Sequence, residues 1–223
     1  MRWDKTLPQT NPTPNNVVYD NSCFDAGMKP PNVTLDNMCI IDLEQSREDA
    51  SQIKRLIQTH HDKEISLRVV AASASELKQD RSTHPQHLDE FKQRLSLIGL
   101  SDVEILPTLA RSDFSFSGYC VSSGRWLDEL EKEIQTVLFG ENEVEFGDFC
   151  RKYRYDEKAK EWDDEWVRRK CDALTLWSHI WYGGDIFVTR DDNFFRQTKK
   201  QKLIELGAGK IMRPAEAVKM LDC

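Results

Sequence analysis

Four acidic residues stand in positions where they could act together as a hydrolytic centre. Asp36 follows an apolar stretch, Glu76 comes shortly after RVVAA, and Asp191 comes just after IFVT. Asp172 precedes the last of these stretches. Four gathered carboxylates would repel one another, and hard divalent cations such as Mg²⁺ or Mn²⁺ bind carboxylate oxygens and neutralise that charge. Metals held in this way orient water and stabilise charge on a phosphate that is being displaced.

The segments around these acids predict a layered α/β domain with a parallel sheet. A motif at Ser46 and Asp49 resembles a capping box and predicts a helix start there. Sites in open parallel sheets form at the carboxyl ends of the strands, so we expect the four acids to converge there. The predicted strands are 33–35, 65–72, 103–106, 185–189 and 210–212, and the predicted helices are 46–59, 88–98, 126–139, 167–181, one closed by Gly207, and 214–221.

Each acid also has a purely structural interpretation. An acid at the end of a strand is often a helix cap or a turn former, and for any single position this is the more common case. The joint pattern favours a site. Asp42 either supports that site or leads the next helix, and His179 is expected to be a packed histidine rather than a catalytic one.

Several motifs, in order, resemble the PIN-domain family. They are VTLDNMCIIDL at 33–43, SASE at 73–76, CDALTLWSHIWYGGDIFVTRDDNFF at 171–195 and the ending LGAGKIMRPAEAVKML. The resemblance covers roughly 33–110 and 162–222. It implies a three-layer α/β/α sandwich around a central parallel sheet. It also implies a metal-dependent nuclease, most often one that acts on RNA, and many members are toxins of bacterial toxin–antitoxin pairs.

The resemblance assigns roles to individual residues. The catalytic residues and ligands of Mg²⁺ or Mn²⁺ would be Asp36, Glu76, Asp172 and Asp191. Thr189 and Asp191 match the T-x-D of the family better than Asp192 does, although which of the two adjacent acids faces a metal stays open. The family pattern usually has Thr where Asn37 stands and a polar residue where Met38 stands, and 96 residues separate Glu76 from Asp172. The supporting residues would be Asn37, Thr189 and Asp192.

The charge of the chain limits how it could bind nucleic acid. The net charge is -7, from 38 acidic and 31 basic residues, which excludes a binder held by bulk positive charge. A local group of basic residues past the last motif is either a solvated helix face or a patch that contacts phosphates. Its members are Arg190, Arg196, Lys199 and Lys200.

Composition and the resemblance together predict the domain organisation. The Pro-rich residues 1–32 are expected to form an N-terminal extended arm, and the resemblance implies a single PIN-like domain at 33–222 with a helical insertion at about 111–161. About 50 residues bury too little surface to fold alone, so the insertion is expected to pack on the sheet edge or the acidic cleft. The six cysteines form no CxxC pair, so we expect reduced thiols and no zinc site.

These observations favour a divalent-metal-dependent endonuclease, specifically an endoribonuclease, that acts on RNA or single-stranded nucleic acid. An inactive PIN-fold module that binds nucleic acid or acts as a scaffold is the alternative. A small-molecule phosphohydrolase would need a second acid two residues after Asp36, where Met38 stands. With no secretory signal and no apolar run of about 18 residues, a cytoplasmic location without membrane contact is expected. An antitoxin partner and a homodimer stay open.

Overall fold

A central parallel sheet organises the chain. The computed structural model describes residues 29–75, 88–111, 116, 118–122, 124–140, 146–153 and 164–222. The five strands of the main sheet lie in the order β3-β2-β1-β6-β7, and a separate parallel pair joins β4 to β5. The strands are β1 (Asn32–Leu35), β2 (Ser66–Val70), β3 (Glu104–Leu106), β4 (Thr108–Leu109), β5 (Cys120–Val121), β6 (Ile186–Val188) and β7 (Lys210–Met212).

Eight α-helices surround the sheets in the described part of the chain. The last turns of α7 continue into a π-helical turn at Ile204–Ala208, and short 3₁₀ helices lie at Ala71–Ala74 and Asp192–Phe195. The helices are α1 (Asn37–Glu44), α2 (Ala50–His61), α3 (Leu88–Leu97), α4 (Arg125–Phe139), α5 (Phe146–Tyr153), α6 (Asp164–Trp181), α7 (Gln197–Leu203) and α8 (Pro214–Leu221).

The strands pack helices against both of their faces because successive side chains point to opposite sides of a sheet. Val33 and Leu35 of β1 share one apolar core with residues of α1, α2, α3 and α8. Phe187 of β6 and Ile211 of β7 share the other core with residues of α4, α5, α6 and α7. The prediction of an α/β domain around a central parallel sheet is therefore confirmed.

The segment after β1 differs from its prediction. Helix α1 begins directly after Asp36, in a stretch that sequence reasoning had left without a helix. Helix α2 begins at Ala50 rather than at the predicted box, and Ser46 has a φ of 50°. Asp49 precedes α2 without capping it through its side chain, because that carboxylate pairs with Arg190. The capping-box prediction is therefore wrong.

Two helices and one short strand are described within the predicted insertion. Ile134 and Leu138 of α4 and Phe149 of α5 lie in the same apolar core as Leu174 and Trp177 of α6. Strand β5, which sequence reasoning did not foresee, pairs with β4 through Thr108–Cys120 and Leu109–Val121. No helix in the described ranges is long and apolar enough to cross a membrane.

Four of the six cysteines lie in the described residues. Cys39 and Cys120 are free thiols, and Cys39, Cys150 and Cys171 are buried. Cys23 and Cys223 lie outside the described residues, as does most of the predicted N-terminal arm.

Candidate functional site

The strand order reverses between β1 and β6. Strands β2 and β3 lie on one side of this point and β7 on the other. A crevice opens at such a switch point, outside the carboxyl ends of the strands, and ligands bind there in open parallel sheets. Asp36 follows β1 immediately, and Thr189 and Asp191 follow β6. Three of the residues that the motifs singled out therefore lie at the switch point.

Asp36 is held rigidly between the two strands. Its side chain is buried, with 2% exposed. One carboxylate oxygen accepts a hydrogen bond from the Asn37 amide at 2.7 Å, and the other accepts one from Thr189 Oγ1 at 2.6 Å. Its own amide donates to the Val188 carbonyl at 2.9 Å. Asp36 is thus the N-cap of α1, so the structural role weighed from sequence is present alongside the candidate functional one.

The pKa of Asp36 is raised to about 6. Burial is the largest cause, because an apolar environment disfavours the ionised form. The hydrogen bonds from Thr189 and Asn37 act in the opposite direction, and the negative charge of Asp191 adds to the rise. Asp36 and Asp191 are therefore close enough for their charges to interact, and no cation of the described chain offsets this pair at Asp36.

Asp191 is joined to Asp36 by one hydroxyl group. The Asp191 amide donates to Thr189 Oγ1 at 3.0 Å, and that same oxygen donates to Asp36. The Asp191 carboxylate accepts from the Asn193 amide at 2.8 Å and caps the short 3₁₀ helix that follows. Asp192 points elsewhere, since it is exposed and pairs with Arg213. Of the two adjacent acids, Asp191 is the one whose charge acts on Asp36.

Asp172 is half-buried on α6 and connects to the pair through a basic neighbour. Burial opposes the charge of Arg168, but Glu165, Asp172 and Asp191 outweigh it and raise the pKa of that arginine. Asp172 and Asp191 therefore lie near the same guanidinium group. Sequence reasoning missed Arg168, although its position one helical turn before Asp172 was a usable signal.

The full set of four acids is not assembled in the described part of the chain. Glu76 lies outside the described residues. Within the residues that are described, no group of three or more His, Cys, Asp or Glu side chains could hold a metal ion. What the geometry does bring together is the pair of Asp36 and Asp191, with Asp172 near the arginine beside them.

Arg190 pairs with two acids of the protein itself. Its Nη1 donates to Asp42 at 2.6 Å, and its Nε pairs with Asp49 at 3.0 Å. Asp42 is completely buried, so this arginine neutralises an interior carboxylate. Contact of Arg190 with a phosphate stays a prediction, and the structure shows a structural role beside it.

The other three members of the predicted basic patch differ in their surroundings. Lys199 donates to the Leu138 carbonyl at the end of α4 and to the Asn193 side chain. Burial lowers the pKa of Lys199, the charge of Arg196 lowers it further, and Asp191 opposes the change. Lys200 lies over the Phe195 ring at 5.0 Å, and Arg196 is exposed. Lys199 therefore fixes the loop after Asp191 to α4.

His179 is a packed residue, as expected. It is fully buried, with Nδ1 at 2.8 Å from Thr34 Oγ1 and Nε2 at 3.0 Å from the Ala208 carbonyl. Burial lowers the pKa of His179 to about 4, because the protonated ring would lose its hydration. This histidine is neutral at physiological pH and ties α6 to β1.

Comparison with known proteins adds no further identification. No protein-family model, no curated protein and no solved structure matches this chain. The likeness to PIN domains therefore rests on the sequence motifs alone.

Proposed function

We propose that this protein is a divalent-metal-dependent nuclease of PIN-like fold, an endonuclease that cleaves RNA. The observation that carries the proposal is the pair of Asp36 and Asp191 at the switch point, linked by the Thr189 hydroxyl and lacking a compensating cation at Asp36. A buried acid close to another acid is costly to ionise, and a cation bound between them relieves that cost.

The donor set suits Mg²⁺ or Mn²⁺ better than a soft metal. Carboxylate oxygens are the ligands that these hard cations prefer. Mg²⁺ usually keeps several waters and binds through one or two carboxylates together with substrate phosphates. Two protein carboxylates therefore fit such an ion, even though a closed group of three is not found among the described residues.

Each residue at the switch point has a definite part in the proposal. Asp36 and Asp191 hold the cation, which when bound activates water and stabilises charge on the phosphate. Thr189 orients the Asp36 carboxylate through its hydroxyl, and the same oxygen accepts from the Asp191 amide and so holds the backbone of that residue. Arg168, which is 60% exposed, lies beside Asp191 and can contact the phosphate backbone. Glu76 and Asp172 are further ligands on the resemblance alone.

Cleavage of an RNA oligonucleotide with Mg²⁺ or Mn²⁺ tests this proposal. Asp191→Asn keeps the shape and removes one charge, so cleavage should fall by roughly 1,000-fold while the fold remains intact. Asp89→Asn is the matched control, because Asp89 is 84% exposed on α3, and it should cleave like wild type. Full activity in Asp191→Asn would overturn the assignment.

An inactive module that binds nucleic acid is the second candidate. The lack of a three-ligand metal group in the described ranges favours it. The two candidates separate in a melting experiment, since a ligand that binds only the folded state at 100 times its Kd stabilises it by about 2.7 kcal/mol. The enzyme requires Mn²⁺ to raise the Tm of wild type and not of Asp36→Asn. The module shows no such rise and binds RNA without cutting it.

A further inference from the structure

Arg190 joins the candidate site to two helices on the other face of the sheet. It lies between Thr189 and Asp191, and its side chain bridges Asp42 of α1 and Asp49 before α2. Asp42 is fully buried, whereas the Asp49 and Arg190 side chains are 25% and 27% exposed. We call Arg190, Asp42 and Asp49 the arginine clamp.

The clamp connects directly to the helix that Asp36 caps. Asp42 lies in α1, which begins at the residue after Asp36. Arg213, at the start of α8, donates to the Arg190 carbonyl at 3.3 Å. Both the side chain and the backbone of Arg190 are therefore held, and the turn 189–191 has little freedom to move relative to α1.

The chemistry of the clamp requires arginine. A guanidinium group presents donors in a rigid fork and can bind two carboxylates at once, whereas a lysine ammonium is a point charge on a flexible stem. Here Nη1 serves Asp42 and Nε serves Asp49. A lysine at position 190 could neutralise Asp42, but it could not hold both acids in the same geometry.

We propose that Arg190 is a positioning residue that, through Asp42 and Asp49, fixes the turn 189–191 so that the Asp191 carboxylate stays opposite Asp36. The effect on cleavage rests on the proposed nuclease function. The effect on the turn itself does not, because it concerns contacts within the metal-free protein.

Amide hydrogen exchange in the metal-free protein tests the effect on the turn. The amides of Asp191 and Asn193 donate to Thr189 Oγ1 and to the Asp191 carboxylate, so their exchange reports local opening. In Arg190→Lys both amides should exchange about 10-fold faster relative to the amides of the β1 and β2 core. Asp49→Asn, which removes only the outer half of the clamp, should give a smaller change in the same direction.

Arg94→Lys is the matched control for a loss of general stability. Arg94 is a buried arginine that binds both carboxylate oxygens of Glu44, also on α1, through Nε and Nη2. It should lower global stability without a selective change at Asp191 and Asn193. Equal exchange of these two amides in Arg190→Lys and Arg94→Lys would overturn the proposal, and so would wild-type exchange in both Arg190→Lys and Asp49→Asn.

Mn²⁺ titration and cleavage kinetics test the consequence for the site. Groups that orient metal ligands typically change metal affinity by about 10–100-fold when they are altered, and we expect about 10-fold weaker Mn²⁺ binding in Arg190→Lys. At saturating Mn²⁺ its kcat should fall while KM for the RNA stays near that of wild type. If wild type neither binds Mn²⁺ nor cleaves RNA, the nuclease proposal fails, and the exchange result alone decides the clamp. Wild-type Mn²⁺ affinity and kcat in Arg190→Lys, in an active protein, would overturn the clamp.

Discussion

Two buried carboxylates in this protein have opposite surroundings. Glu131 of α4 is 1% exposed and Asp36 is 2% exposed. Glu131 pairs with Lys170 of α6 at 2.7 Å and also with Arg111, so its charge is compensated inside the protein. Asp36 accepts hydrogen bonds from the neutral donors Asn37 and Thr189 and is close to a second acid.

The difference separates an acid that is compensated within the protein from a candidate functional acid. A buried charge with its counter-charge in place fastens two elements together and gains nothing from an added cation. A buried acid beside another acid is costly to ionise, and that cost is relieved by a bound cation or by a proton. The compensated pair joins α4 to α6, whereas the uncompensated one stands where the strand order reverses.

The largest loss of stability should come from breaking the buried ion pair of Glu131 and Lys170. Lys170→Met removes one of the two basic partners of Glu131 and should lower the free energy of unfolding by about 3 kcal/mol, because a buried acid loses half of its compensation. Urea denaturation at pH 7 measures it. The double variant Lys170→Met, Glu131→Leu should recover most of the loss. If the free energy of unfolding of Lys170→Met lies within about 1 kcal/mol of the wild-type value, as for a typical surface substitution, the pair does not stabilise the fold.

The pH dependence of stability tests the cost of ionising Asp36, the buried acid without a counter-charge among the described residues. The pKa of Asp36 is about 6 in the folded protein and 3.8 as its ordinary value, so the folded state binds the proton more tightly. The contribution of protonated Asp36 to the free energy of unfolding is therefore fully present below about pH 4 and is lost as the pH rises through 6. Metal-free Asp36→Asn should exceed wild type by about 3 kcal/mol at pH 7.5 and match it near pH 4.

The difference between wild type and Asp36→Asn separates the contribution of Asp36 from that of His179, which is also buried. The pKa of His179 is about 4 in the folded protein, so its contribution to the free energy of unfolding changes in the opposite direction and is lost as the pH falls below about 6.5. Wild type and Asp36→Asn both contain His179, so its contribution cancels in the difference between the free energies of unfolding that urea denaturation gives for the two proteins. Glu131→Gln provides the contrast and should lower stability at pH 7.5. A decrease in Asp36→Asn as well would remove the distinction between the two acids.

The smallest effect concerns the hydroxyl group that joins the acid pair. Thr189→Val removes the donor to Asp36 and the acceptor for the Asp191 amide, and should reduce stability at pH 7 by about 1–2 kcal/mol. Thr189→Ser keeps the hydroxyl and should lose clearly less. Thermal or urea unfolding of both variants measures this, and a loss in Thr189→Val no larger than that in Thr189→Ser would contradict the role of the hydroxyl group.

Local patterns in the sequence foretold more of the sheet than of the clamp. The apolar strands and the acids after them are visible because burial sets the side-chain pattern of each strand. The partners of Arg190 are not visible in any local pattern, since Asp42 lies 148 residues earlier in the chain. Helix α1 was missed because its apolar run offers no clear period, and Asp49 looked like a cap although its carboxylate is used elsewhere.

The turn before β6 has a consequence for how accurately the acids are placed. A Cβ on Gly184 would come within 2.1 Å of the His179 ring, and one on Gly209 within 2.4 Å of the Asp185 carbonyl. Strand β6 has three residues, about 10 Å of stiff chain, between this turn and the residues that follow it. A shift at Gly184 would therefore move β6 and, with it, the residues that lead to Asp191. The close packing at these two glycines acts together with the arginine clamp to fix where Asp191 lies.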